Sequence, residues 1–178
     1  LEDAVINMVA RLAAYREARD GWQKRMCHVV ASPPTRRRWG VRDLWERRSD
    51  AYEALESAGV RGGAVVTHPY RTTVEGDRLY KQYAENEENG EIGKWRFFRE
   101  LAADLPGDDW EELQPDIEAS PHYHTLAPVE DVDGENAPGD WIVENVRSFD
   151  RFHYDQPESY EDMVKTAYYV LTHGAVQE

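Results

Sequence analysis

Two histidines one residue apart, His122 and His124, lie in the stretch Ser120-Pro121-His122-Tyr123-His124-Thr125-Leu126-Ala127-Pro128-Val129. Alternation of bulky and polar residues, with a proline at each end, predicts a strand bounded by Pro121 and Pro128. Successive side chains of a strand point to opposite faces, so His122 and His124 share a face about 7 Å apart along the chain. Tyr123 turns the other way, into whatever the sheet packs on. Two imidazoles on a rigid surface make half a site for a divalent ion, since neutral imidazole is a common ligand. The competing reading is a chance His-x-His pair with no chemistry.

A second set of reactive groups falls on the last predicted helix, Glu158 to His173, with Gly174 as its stop signal. Helical spacing puts Val164, Tyr168, Leu171 and Ala175 on one face, the expected core side. Lys165, Tyr169, Thr172 and His173 fall on a more polar face. Packed across the sheet, that face would offer the imidazole pair a tyrosine hydroxyl, an ammonium and a third imidazole. Two core tyrosines on an amphipathic helix are the alternative. A third set is basic: Arg36, Arg37, Arg38, Arg42, Arg47 and Arg48 put six arginines within thirteen residues, interleaved with Trp39 and Trp45. It reads as a patch for an anionic ligand, or as a solvated helix start.

The elements that must position these groups follow from pattern. Leu1, Val5, Met8, Val9 and Leu12 recur at helical spacing and predict a helix over 1–24. Met26 to Ser32 is a short apolar strand stopped by Pro33-Pro34. His28 is read as a cap on the sheet edge. A second helix is expected over 38–58, with Val41, Leu44, Trp45, Tyr52 and Leu55 as its core stripe and Gly59 beyond its end. Ala64 to His68 forms a strand closed by Pro69, which makes His68 a strand-end surface residue. Residues 72–93 are polar, with an exposed loop over 85–91, and a helix begins at Trp95 and ends near Pro106. A turn over 131–139 and a strand over 141–146 complete the set. The order is helix, strand, helix, strand, helical insert, strand, strand, helix. It suits an α+β domain, an antiparallel sheet with helices packed on one face.

Composition narrows the classes. The 178 residues suffice for one buried core, and 40% hydrophobic content with six Trp, ten Tyr and four Phe excludes a disordered chain. No apolar run reaches membrane-spanning length and no signal-peptide pattern opens the chain, so no membrane partner is expected. Leu1 stands where Met would begin a full-length protein, and an excerpt of a longer chain is expected. The single cysteine, Cys27, rules out an internal disulfide and a cysteine-rich zinc site. Net charge is -14, with only four Lys against seventeen Arg. An acidic, lysine-poor surface suits a high-salt cytoplasm, where screening removes self-repulsion. An ordinary acidic protein that avoids nucleic acid is the alternative.

Three stretches, in order, resemble the motifs of the HUH rolling-circle replication initiators of plasmids and viruses of salt-loving archaea. They are the strand His28-Val29-Val30-Ala31-Ser32-Pro33-Pro34, the histidine pair in Pro121-His122-Tyr123-His124-Thr125-Leu126, and the tyrosine helix Ala167-Tyr168-Tyr169-Val170-Leu171-Thr172-His173. The histidines precede the tyrosines, as in the initiators; relaxases reverse that order. Many members carry lysine after the tyrosine, where this chain has His173.

The resemblance implies a ferredoxin-like (RRM-like) nuclease domain over 26–178 behind an N-terminal helix over 1–25. It implies nicking of single-stranded or hairpin origin DNA through a 5′-phosphotyrosine, and contact with a helicase or replisome. The divalent metal, Mg²⁺ or Mn²⁺, would be held by His122, His124 and a third ligand, His173 or His68. Tyr169 is the expected nucleophile, with Tyr168 as the alternative and Lys165 beside it. Arg36, Arg37, Arg38 and Arg42 would grip phosphate, and His153 has no role. Two other classes stay open. One is a His-x-His metal phosphoesterase using Glu130 or Asp131 to activate water. The other is a non-catalytic DNA-binding module of the same fold.

Overall fold

A computed structural model describes residues 2–18, 25–33, 47–85, 93–103, 116–149 and 157–172. Arg36, Arg37, Arg38, Arg42, Val41, Leu44, Trp45, His153, His173 and Gly174 lie outside the described residues.

The chain runs α1 (Glu2–Ala18), β1 (Arg25–Ser32), α2 (Arg48–Ser57), β2 (Ala64–Thr72), α3 (Val74–Ala84), α4 (Lys94–Ala103), β3 (Ile117–Val129), a 3-10 turn (Gly134–Asn136), β4 (Ile142–Phe149) and α5 (Pro157–Thr172). The expected order of elements is the observed one. The fold is α+β, with one four-stranded antiparallel sheet in the order β2-β3-β1-β4. β1 pairs with β3, setting His28 opposite Leu126 and Val30 opposite His124, and with β4 on its other side.

Each face of the sheet carries an apolar core. Cys27, Val29 and Ala31 of β1 join Tyr123, Ala127 and Val129 of β3 against Ala51, Ala54 and Leu55 of α2 and Ala58 just past its end. The alternate residues Met26 and Leu126, with Phe149, meet Val5, Val9 and Leu12 of α1 and Met163 and Ala167 of α5. The helices are therefore divided between the two faces, where one face was expected to hold them all. The cause lies in β1: a strand whose apolar residues run on without alternation needs cover on both sides. The stripe of α2 also differs from expectation. Ala51, Ala54, Leu55 and Ala58 are buried at the i, i+3, i+4, i+7 spacing, and Tyr52 is 38% exposed.

The chain divides into two compact units, Leu1–Pro69 with Pro121–Glu178, and Tyr70–Ser120. The divisions fall inside β2 and β3, which run through Pro69 and Pro121 instead of ending there. Pro69 lies on an edge strand, where a missing N–H donor is tolerated, and Pro128 is one residue from the end of β3. The second unit has its own core of Phe97 and Phe98 with Tyr70, Leu79, Tyr80, Tyr83 and Leu101. Its helix α3 occupies a stretch whose polarity suggests no element. The cue is local: Thr73 caps it by accepting from the Gly76 N–H at 3.1 Å, Glu75 and Asp77 fill the first turn, and Lys81 the last. Gly76 is required there, since a Cβ would come within 1.9 Å of the Asp116 carbonyl oxygen. Lys94 of α4 pairs with Asp77 at 2.9 Å. Most of the expected loop, 86–91, lies outside the described residues. Among the described residues, no helix is long and apolar enough to cross a membrane.

Candidate metal centre

Four imidazoles from three adjacent strands meet on the sheet face that carries α1 and α5. His28 comes from β1, His68 from β2, and His122 and His124 from β3, and all four are buried. The expected alternation of β3 holds: His122 and His124 share the face, and Tyr123 points away, 1% exposed and 6.0 Å from the Trp141 ring. Burial, and then the carboxylate of Asp50, push the Tyr123 phenol up to about 12, so it is inert at neutral pH.

The register brings in the other two histidines. β2 lies beside β3, and the His68 ring stacks on His124 with centroids 4.0 Å apart and meets His122 edge-on at 5.2 Å. The strand passes Gly63, at φ +114, where a Cβ would lie 2.5 Å from the Leu126 carbonyl oxygen. Only glycine allows that approach. His28 is the diagonal neighbour of His124 across the β1–β3 pair, and its Nε2 lies 2.7 Å from His124 Nδ1.

His68, His122 and His124 each direct a ring nitrogen into one volume, the three nitrogens all within 4.8 Å of one another. His68 Nε2–H donates to the Val170 carbonyl of α5 at 2.8 Å, which leaves Nδ1 as its ligand atom. His124 has its Nδ1 engaged by His28, and the buried Nε2 remains. Histidines that hold metals are fixed in this way, one nitrogen on the ion and the other on a hydrogen-bond partner. The three imidazoles could together hold a metal ion. Among the described residues the third converging imidazole is His68, an interior residue of β2 at 2% exposure and not a strand-end surface residue. His28 likewise sits inside β1 at 5% exposure and is not a sheet-edge cap.

His28 is held in its neutral form. Burial, and secondarily the Arg147 guanidinium, lower its pKa from 6.5 to about 4. Arg147 stands opposite His28 on β4, beside a register shift in which Val146 is the extra residue, and pairs with Asp162 of α5 at 2.7 Å. Bulges of this kind re-aim side chains near functional sites.

Tyr169 of α5 edges the cluster. Its ring centroid is 6.2 Å from His124 and 6.5 Å from His68, and the residue is 44% exposed. Tyr168, expected in the core stripe, is instead 50% exposed. The buried side of α5 follows Met163, Thr166, Ala167 and Val170, with Val164 and Leu171 half-buried beside them. One residue turns a helix by about 100°, which is enough to carry Tyr168 out of the core. Lys165 faces solvent and lies 3.9 Å from Glu161. His122, His124 and Tyr169 are therefore brought together as expected, His68 and His28 join them, and Lys165 faces water.

The carboxylates named for water activation do not join the cluster. Glu130 is exposed, six residues beyond His124, or about 20 Å along an extended strand. Asp131 is also exposed, its carboxylate accepting from the Val132 N–H at 2.9 Å.

No protein-family model, no curated protein and no solved structure matches the chain.

Proposed function

We propose that the chain is a single-strand DNA endonuclease and strand-transfer enzyme of the HUH replication-initiator type, with Tyr169 as nucleophile. One observation carries the reading: a half-exposed tyrosine lies 6.2 Å, ring to ring, from a buried set of three converging imidazoles. The order of the three sequence motifs supports it.

His68, His122 and His124 would hold the ion. When bound, a divalent cation supplies Lewis-acid stabilisation of the negative charge that builds on a phosphate under attack. Three nitrogen donors suit Mn²⁺, or another transition ion, better than Mg²⁺, which prefers oxygen and keeps its waters. The protein's own part is positional. α5 sets the Tyr169 ring beside the cluster, 6.2 Å from the His124 ring and 44% exposed, where a flexible strand could reach it. A phenol is a poor nucleophile at neutral pH, and needs both this proximity and a nearby positive charge.

In the step, the Tyr169 oxygen forms a bond to phosphorus and the bond from phosphorus to the 3′-oxygen breaks. The phenol gives up one proton and the 3′-oxygen takes one up. The products are a 5′-phosphotyrosine and a 3′-hydroxyl. No water is consumed, so the phosphodiester energy is retained and a 3′-hydroxyl can reverse the attack.

The partner proposed is single-stranded or hairpin origin DNA. Arg36, Arg37, Arg38 and Arg42 remain the proposed phosphate contacts, and a helicase or replisome the proposed further partner. The proposed setting is a high-salt cytoplasm, supported by the -14 charge and the scarcity of lysine. The test is incubation with a labelled single-stranded oligonucleotide pool of mixed sequence and Mn²⁺. A denaturation-resistant protein–DNA adduct that disappears with chelator is expected. Metal-dependent cleavage with no adduct would refute the proposal.

A further inference from the structure

We infer that His28 is a positioning residue for the metal centre: its Nε2 accepts a hydrogen bond from His124 Nδ1–H, which fixes His124 in the tautomer that presents Nε2 to the ion. The inference rests on the metal-binding part of the reading above and not on the DNA chemistry.

The contact between the two rings is a directed one. Their planes are within 27° and their centroids 4.9 Å apart, with nitrogens at 2.7 Å. A 2.7 Å nitrogen separation plus one ring radius at each end accounts for the centroid distance. The rings therefore meet edge to edge, nearly coplanar, which is good hydrogen-bond geometry. The His68–His124 contact is different, with centroids at 4.0 Å and one ring over the other. His124 is consequently fixed in two directions, by a stacked ring over its face and a hydrogen bond at its edge.

Only one of the two facing nitrogens can carry the proton. If His28 donated, a neutral His124 would have its proton on Nε2 and no lone pair for a metal there. If His124 donates, the buried Nε2 is the bare nitrogen left for an ion, in a residue whose ligand nitrogen lies within 4.8 Å of those of His68 and His122. The second arrangement parallels His68, whose Nε2–H is tied to the Val170 carbonyl. A backbone carbonyl fixes one ligand and an imidazole acceptor fixes the other. β1 is well suited to hold that acceptor, being an inner strand paired on both sides and buried on both faces.

The experiment has two arms, and neither uses DNA. In metal-free, ¹⁵N-labelled protein, long-range proton–nitrogen correlation of the imidazoles is expected to find His124 protonated at Nδ1 and His28 bare at Nε2. The opposite pattern overturns the inference. In the second arm, Co²⁺ is titrated into the wild-type protein, His28→Leu and His28→Gln, following the visible ligand-field bands. His28→Leu removes the acceptor and is expected to weaken Co²⁺ binding about 10- to 100-fold, the usual effect of losing such a partner. His28→Gln, whose side-chain carbonyl can accept, is expected to recover most of that loss. Equal affinity and an unchanged spectrum in His28→Leu would overturn the inference. So would equal weakening in both variants when their circular dichroism matches the wild type. If His28→Leu does not fold, the tautomer pattern and His28→Gln decide. A wild-type protein that binds Co²⁺ and never forms an adduct would defeat the nuclease reading and leave this one standing.

Discussion

The two faces of β3 use neighbouring residues for opposite purposes. Tyr123, Ala127 and Val129 enter a dry core beneath α2, whereas His122 and His124, one residue away, enter a polar cluster beside α5. On the first face each side chain contributes area removed from water. On the second, four imidazoles occupy volume that apolar residues would fill more cheaply, since buried polar groups must be matched by hydrogen bonds or by an ion. The histidine face carries its own apolar core around Met26 and Leu126, so the difference marks the imidazole cluster, and not the whole face, as the part kept for chemistry. Substitutions on the two faces should therefore separate stability from metal binding.

The largest separation is expected at the edge of the histidine face. Tyr169→Phe should abolish adduct formation, a loss of at least about 1,000-fold, while its Mn²⁺ affinity and melting temperature stay near wild type. Tyr168→Phe should retain the adduct. Next, His68→Ala and His124→Ala should each weaken Mn²⁺ binding by about 100-fold or more in calorimetric titration, more than the loss of a hydrogen-bond partner alone. Neither should approach the destabilisation caused by a large core deletion. Tyr123→Ala reverses the pattern: it should cost about 3–5 kcal/mol in denaturant unfolding, as for a buried aromatic, and leave the folded fraction's Mn²⁺ affinity unchanged. The smallest effect has the opposite sign. Thr125 is 1% exposed on the face beneath α2, and its buried hydroxyl has no hydrogen-bond partner among the described residues. Thr125→Val should raise stability by about 1 kcal/mol, read from the unfolding midpoint. A loss would mean that the hydroxyl is used and that this face is not purely apolar.

The local half of this picture was legible in the sequence. Alternation along a strand is a property of neighbours, so the shared face of His122 and His124 and the turn of Tyr123 to the opposite face could be read directly. His68 and His28 arrive from other strands, and strand pairing is set by register between distant segments, which composition does not reveal. The two punctuation rules applied to them also misled. Pro69 does not end β2, and β1 is an inner strand of the sheet, so His28 is not at its edge. The useful signal was a histidine inside an otherwise apolar strand, in each case on the parity of an inward residue: Met26 for His28, and Ala64 for His68. In α5 the helix was legible but its phase was not, because Tyr168 sits at the margin of a stripe that includes Val164 and Leu171. Helix α3 was hidden by polarity, although its cap at Thr73 is written in the sequence.

The central claim is that the histidine face and Tyr169 form one site. The most direct measurement is to digest the adduct formed with the single-stranded oligonucleotide pool and Mn²⁺, and to locate the attached nucleotide by tandem mass spectrometry. The account predicts the added mass on Tyr169, with none formed by His124→Ala. A mass on Tyr168, or undiminished adduct without the histidine cluster, would contradict it.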